Sequence, residues 1–451
     1  MVVRRRLTAV VSVVLLVAAA GCGNAKSGTD RADDDGPTTT VADGGGSDEK
    51  VPNDSPGVTD STIRVGGVAS VTNPLGGKYG DAFEGVKAYF DMVNEAGGIY
   101  GRTLELVAER DDKLANNKTE VEGLLSQDDV FAVLPVATLL FGGATTLVEA
   151  GVPTFGWTVN PDWQGSAEDP RLNLFGQSGS YLCFGCDNLT VPWIAQEIEA
   201  KKVGVLAYQV AQSSECAKGV ALSFEKYGAA VGAELAFEDR SLGYGTTDFS
   251  VQVGKMRDAG VDLVTTCMDT NGVVALAKEM KKQGLDAPQY LPNAYDHDFL
   301  EEYGDLFEGS FVRTDFAQWE LPESEQPEGL QQYLEWMAER DVAPSENSAS
   351  GWLNAALFVE GLRQAGPNFT RQSVIDAINQ LTDWTADGMI PGVDWTTAHT
   401  ERTSLTENCQ FLSRIEGSEF VPAFTEPGKP FHCAVLEDGE ITTRYTDGSK
   451  T

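Results

Sequence analysis

Short apolar strands and amphipathic helices alternate along this chain in two consecutive series, and this alternation restricts the fold more than any other feature. The first series predicts strands at 62–69, 104–108, 130–136 and 152–157, with helices at 79–96, 116–126 and 141–150. The second predicts helices at 189–200, 216–227, 249–259 and 273–283, with strands at 203–208, 231–237, 262–268 and 289–292. Strands separated by single helices form right-handed βαβ units in a parallel sheet. The expected fold is therefore α/β, with two doubly wound, Rossmann-like lobes.

The rest of the chain predicts elements that return to these lobes. They are a strand at 309–316 and helices at 326–340, 348–365 and 371–381, followed by about fifty turn-rich residues with short β runs. Open α/β sheets bind ligands at the carboxyl ends of their strands. The crevice between the two sheets is therefore the expected binding site.

The first sixty residues predict an export signal and a tether. Arg4, Arg5 and Arg6 precede an apolar run at 7–20, which is too short to span a bilayer. The run ends in Ala-Ala-Gly-Cys22, which resembles a bacterial lipobox, although Ala19 is a looser match than leucine. We expect a signal peptide at 1–21 and, at 22–57, a lipidated Cys22 with a disordered spacer of Gly, Ser, Thr, Asp and Pro. An ordinary signal peptide is the alternative.

Charge and histidine content exclude several classes of function. The chain has 33 Lys and Arg against 68 Asp and Glu, a formal net charge of −35. A nucleic-acid binder needs a basic face, so no nucleic-acid partner is expected. The three histidines are not at metal-ligand spacing, and HExxH and paired CxxC motifs are absent from the sequence. We expect no metal site, no cofactor and a monomer.

The cysteines predict disulfides. Without Cys22, six of the seven remain, an even number in an oxidising compartment. We expect three bridges, Cys183–Cys186, Cys216–Cys267 and Cys409–Cys433. The last pair holds the only cysteines of the terminal segment, and the middle pair requires neighbouring strands in a sheet of order 2-1-3. That leaves the first pair as a local bridge, and a bond from either of its members to Cys216 is the alternative.

Several short motifs keep a characteristic order and spacing. They are PLG at 74–76, YGD at 79–81, VNEAGGIYG at 93–101, RDD at 110–112, DFS at 248–250, GVD at 260–262 and QGL at 283–285. Together they resemble the leucine/isoleucine/valine-type (type I) periplasmic binding proteins of ABC transporters, and NEAGGIYG is the most specific of them. The resemblance implies two α/β lobes joined by three crossovers that close on a small molecule like a flytrap.

This resemblance also implies domain boundaries and a function. The N-lobe would span 58–178 and the C-lobe 179–308, with a return to the N-lobe at 309–390 and to the C-lobe, with the tail, at 391–451. The implied function is an extracytoplasmic solute-binding protein, held by lipid on the outer face of the cytoplasmic membrane, that serves an ABC permease. A lipid-anchored sensor with the same fold is the alternative. Segment 176–180 (GQSGS) is one glycine short of the GxSxG motif, so a serine hydrolase is a remote alternative.

Candidate ligand-binding residues follow from the family's cleft positions. Tyr79 stands where the family has a cleft-lining aromatic residue; packing at the helix start is its alternative role. Leu139, Leu140 and Phe141 replace expected serines, and Gly272 replaces a glutamate that holds an ammonium group. The candidates are Tyr79, Trp157, Tyr208 and Tyr295 as walls, with Thr138, Thr158, Gln212 and Asp269 as polar contacts. Asp269 is equally suited to cap the next helix.

These replacements predict the kind of ligand. An α-amino acid brings two charges into a closed cleft, and each needs a partner. We therefore expect a larger, less charged solute, such as an amide or an apolar compound, and weak binding of free leucine, isoleucine and valine.

Overall fold

A computed structural model describes residues 50–166, 168–179, 183, 185–292, 294–400 and 407–449 of the 451-residue chain. The expected signal peptide, the lipidation site Cys22 and most of the expected spacer lie outside these residues. No helix among the described residues is long and apolar enough to cross a membrane.

The first lobe is built on a parallel five-stranded sheet of order β2-β1-β3-β4-β5. Its strands are β1 (Thr62–Ala69), β2 (Thr103–Asp111), β3 (Ala132–Ala137), β4 (Thr154–Gly156) and β5 (Leu174–Gly176). The helices between them are α1 (Asp81–Glu95), α2 (Asn117–Ser126) and α3 (Ala144–Glu149). All six residues of β3 are buried, as expected for a central strand covered by helices on both faces.

The second lobe repeats this architecture. Its parallel strands are β6 (Lys202–Tyr208), β7 (Glu234–Leu242), β8 (Leu263–Cys267), β9 (Gln289–Leu291) and β10 (Phe311–Thr314). Its helices are α4 (Thr190–Glu197), α5 (Ala211–Val231), α6 (Ser250–Ala259), α7 (Thr270–Gln283) and α8 (His297–Tyr303). Short 3-10 turns lie at Pro161–Trp163, Gly304–Leu306 and Glu323–Glu325.

Three later helices return to the first lobe. They are α9 (Glu328–Glu339), α10 (Glu346–Ala365) and α11 (Arg371–Ile378). Helix α10 packs along α1 and against β3 and β4. A Cβ on Gly85 would collide with the Ser348 carbonyl, and one on Gly351 with the Ala82 carbonyl. These two glycines therefore let the helix backbones touch, which fixes the start of α10 beside the start of α1.

Four antiparallel strands complete the second sheet. They are β11 (Glu407–Glu416), β12 (Glu419–Ala423), β13 (Phe431–Glu437) and β14 (Glu440–Thr446). The sheet has the order β14-β13-β11-β10-β9-β8-β6-β7, and β12 pairs with β11 outside this path. The turn-rich tail of the sequence is therefore an extension of the second sheet.

The structure confirms the α/β class and the two lobes, but it moves three expected boundaries. The spacer ends before 57, because Arg102 Nη2 donates to the Val51 carbonyl at 2.7 Å and Asn53 Nδ2 to the Phe369 carbonyl at 2.7 Å. The return to the first lobe begins after β10, later than 309, because β10 pairs with β9. The final return begins after 400, later than 391, because Trp395 and His399 pack against Phe175 of β5.

Candidate ligand-binding site

A cavity of about 220 Å³ lies between the two lobes, where the carboxyl ends of both sets of parallel strands meet. In the first lobe its walls are the loops after β1, β3, β4 and β5 and the start of α10. In the second lobe they are the loops after β6, β7, β8, β9 and β10. The loops after all the parallel strands except β2 therefore contribute residues to the wall of this cavity.

Aromatic rings form opposing walls of this cavity. Tyr79 and Trp157 come from the first lobe, with ring centroids 6.2 Å apart. Tyr208 and Tyr244 come from the second and meet edge to face at 5.4 Å. Burial raises the pKa of Tyr79 and that of Tyr208 far above the usual phenol range, so both are neutral at pH 7.

Charged groups are the second component of the wall. Five carboxyl groups line the cavity, those of Asp81, Asp269, Asp296, Asp315 and Glu346. Only two cations line it, Lys78 and Arg313. Lys78 pairs with Asp298 and lies 3.7 Å from Asp296 Oδ2, while Arg313 pairs with Asp315. Six of these seven residues stand outside the short motifs that carry the family resemblance, which include Asp81 alone. Acidic groups therefore outnumber basic ones among the described residues of the wall.

Asp269 has two separate roles. Its Oδ1 accepts a hydrogen bond from the Gly272 amide at 3.1 Å and so caps α7. Its Oδ2 is buried, and the carboxyl group interacts with the Tyr208 hydroxyl. The capping role and the cavity-lining position, which the sequence presented as alternatives, therefore coexist in one side chain.

Glu346 is the first residue of α10, and its carboxyl group reaches the second lobe. It accepts a hydrogen bond from the backbone of Tyr295, and Asp315, Arg313 and Asp296 surround it. Burial, and after it the negative charge of Asp315, raise the pKa of Glu346 to about 8. In the solute-free cleft this carboxyl group is mostly protonated at pH 7.

Six of the eight candidate residues line the cavity, and two do not. The six are Tyr79, Trp157, Tyr208, Gln212, Asp269 and Tyr295. Thr138 is fully buried behind the wall, where its hydroxyl donates to the Val68 carbonyl at 3.3 Å. Thr158 is turned away from the cavity, and its methyl group packs on Gly176 of β5. Neither threonine therefore lines the cavity, because a residue after a strand end faces the cleft or the core depending on the local twist.

Tyr295 has a supporting role. Its hydroxyl donates to Glu320 Oε2 at 2.6 Å and accepts from the Trp319 amide at 3.3 Å, and only 1% of the residue is exposed. It therefore positions the loop after β9 and offers the cavity mainly a ring edge.

Three disulfides are present, Cys183–Cys186, Cys216–Cys267 and Cys409–Cys433. Cys216 lies on α5, within the predicted helix and shortly after β6, which neighbours β8 in the sheet. The bridge ties α5 to the end of β8 at the cavity wall. Glu407, Cys409 and Cys433 are close enough to hold a metal ion, but both sulfurs are in a disulfide.

The comparison with known families decides the class of the protein. The family model described as "Periplasmic binding protein" matches residues 62–417. The chain belongs to this family. A periplasmic binding protein binds its solute rather than transforming it, so the serine hydrolase alternative does not hold. In the described part of the chain, β5 ends at Gly176 and the next helix begins at Thr190.

One curated relative is similar to part of the chain. It is the leucine-, isoleucine-, valine-, threonine- and alanine-binding protein of Pseudomonas aeruginosa, 27% identical over 233 residues. The aligned part covers 50% of this chain and 59% of that relative, so the chain matches less than two thirds of its length.

Solved structures share the fold of this periplasmic binding protein. A branched-chain amino acid ABC transporter protein from Thermus thermophilus with bound valine has a TM-score of 0.65 and 20% identity, covering 81% of this chain and 96% of that one. A solute-binding protein from R. palustris in complex with 4-hydroxybenzoate has a TM-score of 0.62 and 17% identity, with 85% and 96% covered. These identities establish the fold alone.

Proposed function

We propose that this periplasmic binding protein is a lipid-anchored, extracytoplasmic component of an ABC importer. It captures one small organic solute between its lobes and delivers it unchanged to a permease. The observation that carries this proposal is the cavity itself, which takes its aromatic and polar wall from both lobes. A ligand that touches both walls stabilises the closed arrangement, and its release requires the lobes to part.

The cavity volume sets the size of the solute. An engineered protein cavity of about 150 Å³ accommodates benzene. The present cavity, at about 220 Å³, has room for one ring with a short polar chain or for an aliphatic solute of similar size.

Contacts across the cleft support a closing motion. Lys78, before α1, pairs with Asp298 of α8, and Asn271 Nδ2 of α7 donates to the Pro74 carbonyl at 3.3 Å. Both contacts join surface groups of opposite lobes, and such exposed contacts contribute little free energy. They therefore favour the closed form without preventing the lobes from separating.

The test of solute binding is thermal unfolding of the mature chain with a panel of metabolites. A solute that binds only the folded protein raises the melting temperature in a concentration-dependent way. Trp157→Ala removes a cavity wall and should abolish this shift. Leu172→Ala, at an exposed residue before β5, should leave it intact. Chemical turnover of a panel member without any thermal shift would overturn the proposal.

The anchor needs a separate test in the living cell. Cys22→Ser removes the acylated thiol, so the mature chain should move from the membrane fraction to the soluble fraction. Cys22 is the only residue changed, so a variant chain that stays with washed membranes would contradict the lipid anchor and leave the solute-binding proposal standing.

A further inference from the structure

We infer that the solute is an organic cation without a carboxylate group, held between aromatic rings and the carboxylates of the cleft. This inference rests on the proposed function and names the chemical class of its ligand.

The pairing of charges in the wall is the first support. Both cations of the cavity are engaged, Lys78 with Asp298 and Arg313 with Asp315. Asp81, Asp269 and Glu346 form no ion pair with a basic side chain in the described part of the chain. A carboxylate ligand would therefore meet no free cation, whereas a cationic ligand would meet carboxyl groups from both lobes.

Helix N-termini give the second support. The start of a helix ordinarily attracts an anion, because its free amides and its dipole are positive. Two helices begin at this cavity with a carboxylate of their own, Asp81 at α1 and Asp269 at α7, and α10 begins with the mostly protonated carboxyl group of Glu346. Helix α5 begins without an acidic residue, and there Gln212 offers a neutral amide. Acidic side chains of the protein therefore stand at most of the helix N-termini where an anionic ligand would otherwise bind.

Two buried oxygens give the third support. Tyr208 is only 1% exposed, and its hydroxyl interacts with the carboxylate of Asp269. Asp269 forms no ion pair with a basic side chain among the described residues. A ligand ammonium that donates to this carboxylate would supply the opposite charge, whereas a ligand carboxylate would be repelled by it.

The aromatic walls fit the same class of ligand. Tyr79, Trp157, Tyr208 and Tyr244 line the same cavity as Asp269. Cations are attracted to the faces of tyrosine and tryptophan rings, most strongly where water is excluded. Rings and carboxylates in one cavity therefore act together on a positively charged group.

Three probes of one shape and different charge test the inference. Benzylamine, benzyl alcohol and benzoate present the same ring as a cation, a neutral molecule and an anion at pH 7. Isothermal titration calorimetry should show benzylamine binding at least about tenfold tighter than benzyl alcohol, with benzoate weaker than both. Binding of benzoate or benzyl alcohol as tight as that of benzylamine, or no benzylamine binding at all, overturns the inference.

Two variants test whether Asp269 causes the preference for the cationic probe. Asp269→Asn keeps the Oδ1 cap of α7 and removes the charge, so it should reduce the preference for benzylamine over benzyl alcohol at least threefold. Asp286→Asn removes a charge from an exposed residue before β9, at the opposite end of the strand from the cleft, and should change nothing. An unchanged preference in Asp269→Asn overturns the assignment. If neutral or anionic metabolites bind in the cleft instead, the cation inference falls and the proposed function stands; if no solute of any charge binds, both fall.

Discussion

The hydroxyl group of Tyr208 occupies the space that a side chain on Gly272 would need. A Cβ built on Gly272 would lie inside the 3.0 Å limit of real Cβ contacts from Tyr208 Oη. Gly272 is the position at which the resemblance placed an ammonium-holding glutamate. In the second lobe, a phenol from β6 therefore fills the space where that side chain from α7 would begin, and its hydroxyl interacts with Asp269.

The close approach of Tyr208 to Gly272 predicts that the effect of Gly272→Ala on stability changes when Tyr208 is replaced by phenylalanine. Replacing glycine by alanine inside a helix normally stabilises a protein by about 0.5–1 kcal/mol. Here Gly272→Ala should destabilise by about 1–3 kcal/mol, because the added methyl group collides with the Tyr208 hydroxyl. In a Tyr208→Phe background the same change should be neutral or stabilising. Urea denaturation of the four proteins measures the coupling, and additive effects would show that the two groups do not compete for space.

Free leucine, isoleucine and valine are expected to bind weakly or not at all. The ammonium group of an amino acid would find Asp269, but its carboxylate would find Lys78 and Arg313 already paired. An unpaired charge in a closed cleft costs several kcal/mol. Calorimetric titration with the three amino acids checks this, and micromolar or tighter binding of any of them would disprove it.

Glu346 predicts a pH-dependent stability in the absence of solute. Its pKa is raised to about 8 in the folded protein, against about 4.3 for an unfolded chain. Between these values the folded state holds a proton that the unfolded state has lost. The free energy of unfolding should therefore fall as the pH rises through this range, by at most about 1.4 kcal/mol per pH unit from this group.

Urea denaturation at pH 5, 6, 7 and 8 measures this slope. In Glu346→Gln it should be flatter than in the wild type, because glutamine does not titrate. Parallel profiles for the two proteins would mean that Glu346 ionises normally in the folded state.

The bridge between Cys409 and Cys433 should hold the terminal strands in register. The two residues are direct partners on antiparallel β11 and β13, with a sequence separation of 24. Closing a loop of this size contributes about 3 kcal/mol in the chain-entropy model. Replacing both cysteines by serine should lower the free energy of unfolding by about that amount. Peptide mapping without reductant provides the direct check, and free thiols at either position would contradict the pairing.

The sequence predicted the fold well because the fold depends on periodic patterns. Alternating strands and helices leave few topologies, and right-handed crossovers select one of them. Strand β10 could be predicted only in part. Its apolar run predicts a strand, but its place in the second lobe follows from its pairing with β9, which depends on the tertiary structure.

The cleft was predicted less completely, for a physical reason. Residues at strand ends, such as Trp157 and Tyr208, could be found because parallel strands end at the binding edge. Thr138 and Thr158 occupy similar positions, but their rotation toward the core depends on twist and packing. Glu346 lies about 270 residues after Tyr79 in the sequence and reaches the cavity only because α10 packs on α1. No local sequence pattern predicts such a contact.

Native mass spectrometry of the mature chain, after incubation with a low-mass metabolite extract and removal of unbound material, tests the central claim most directly. We expect one small organic molecule bound noncovalently per chain, released with unchanged mass on denaturation and absent from Trp157→Ala. A chain that carries no small molecule, either as purified or after incubation, would contradict it, as would a wild type and a Trp157→Ala variant that retain the same molecule equally.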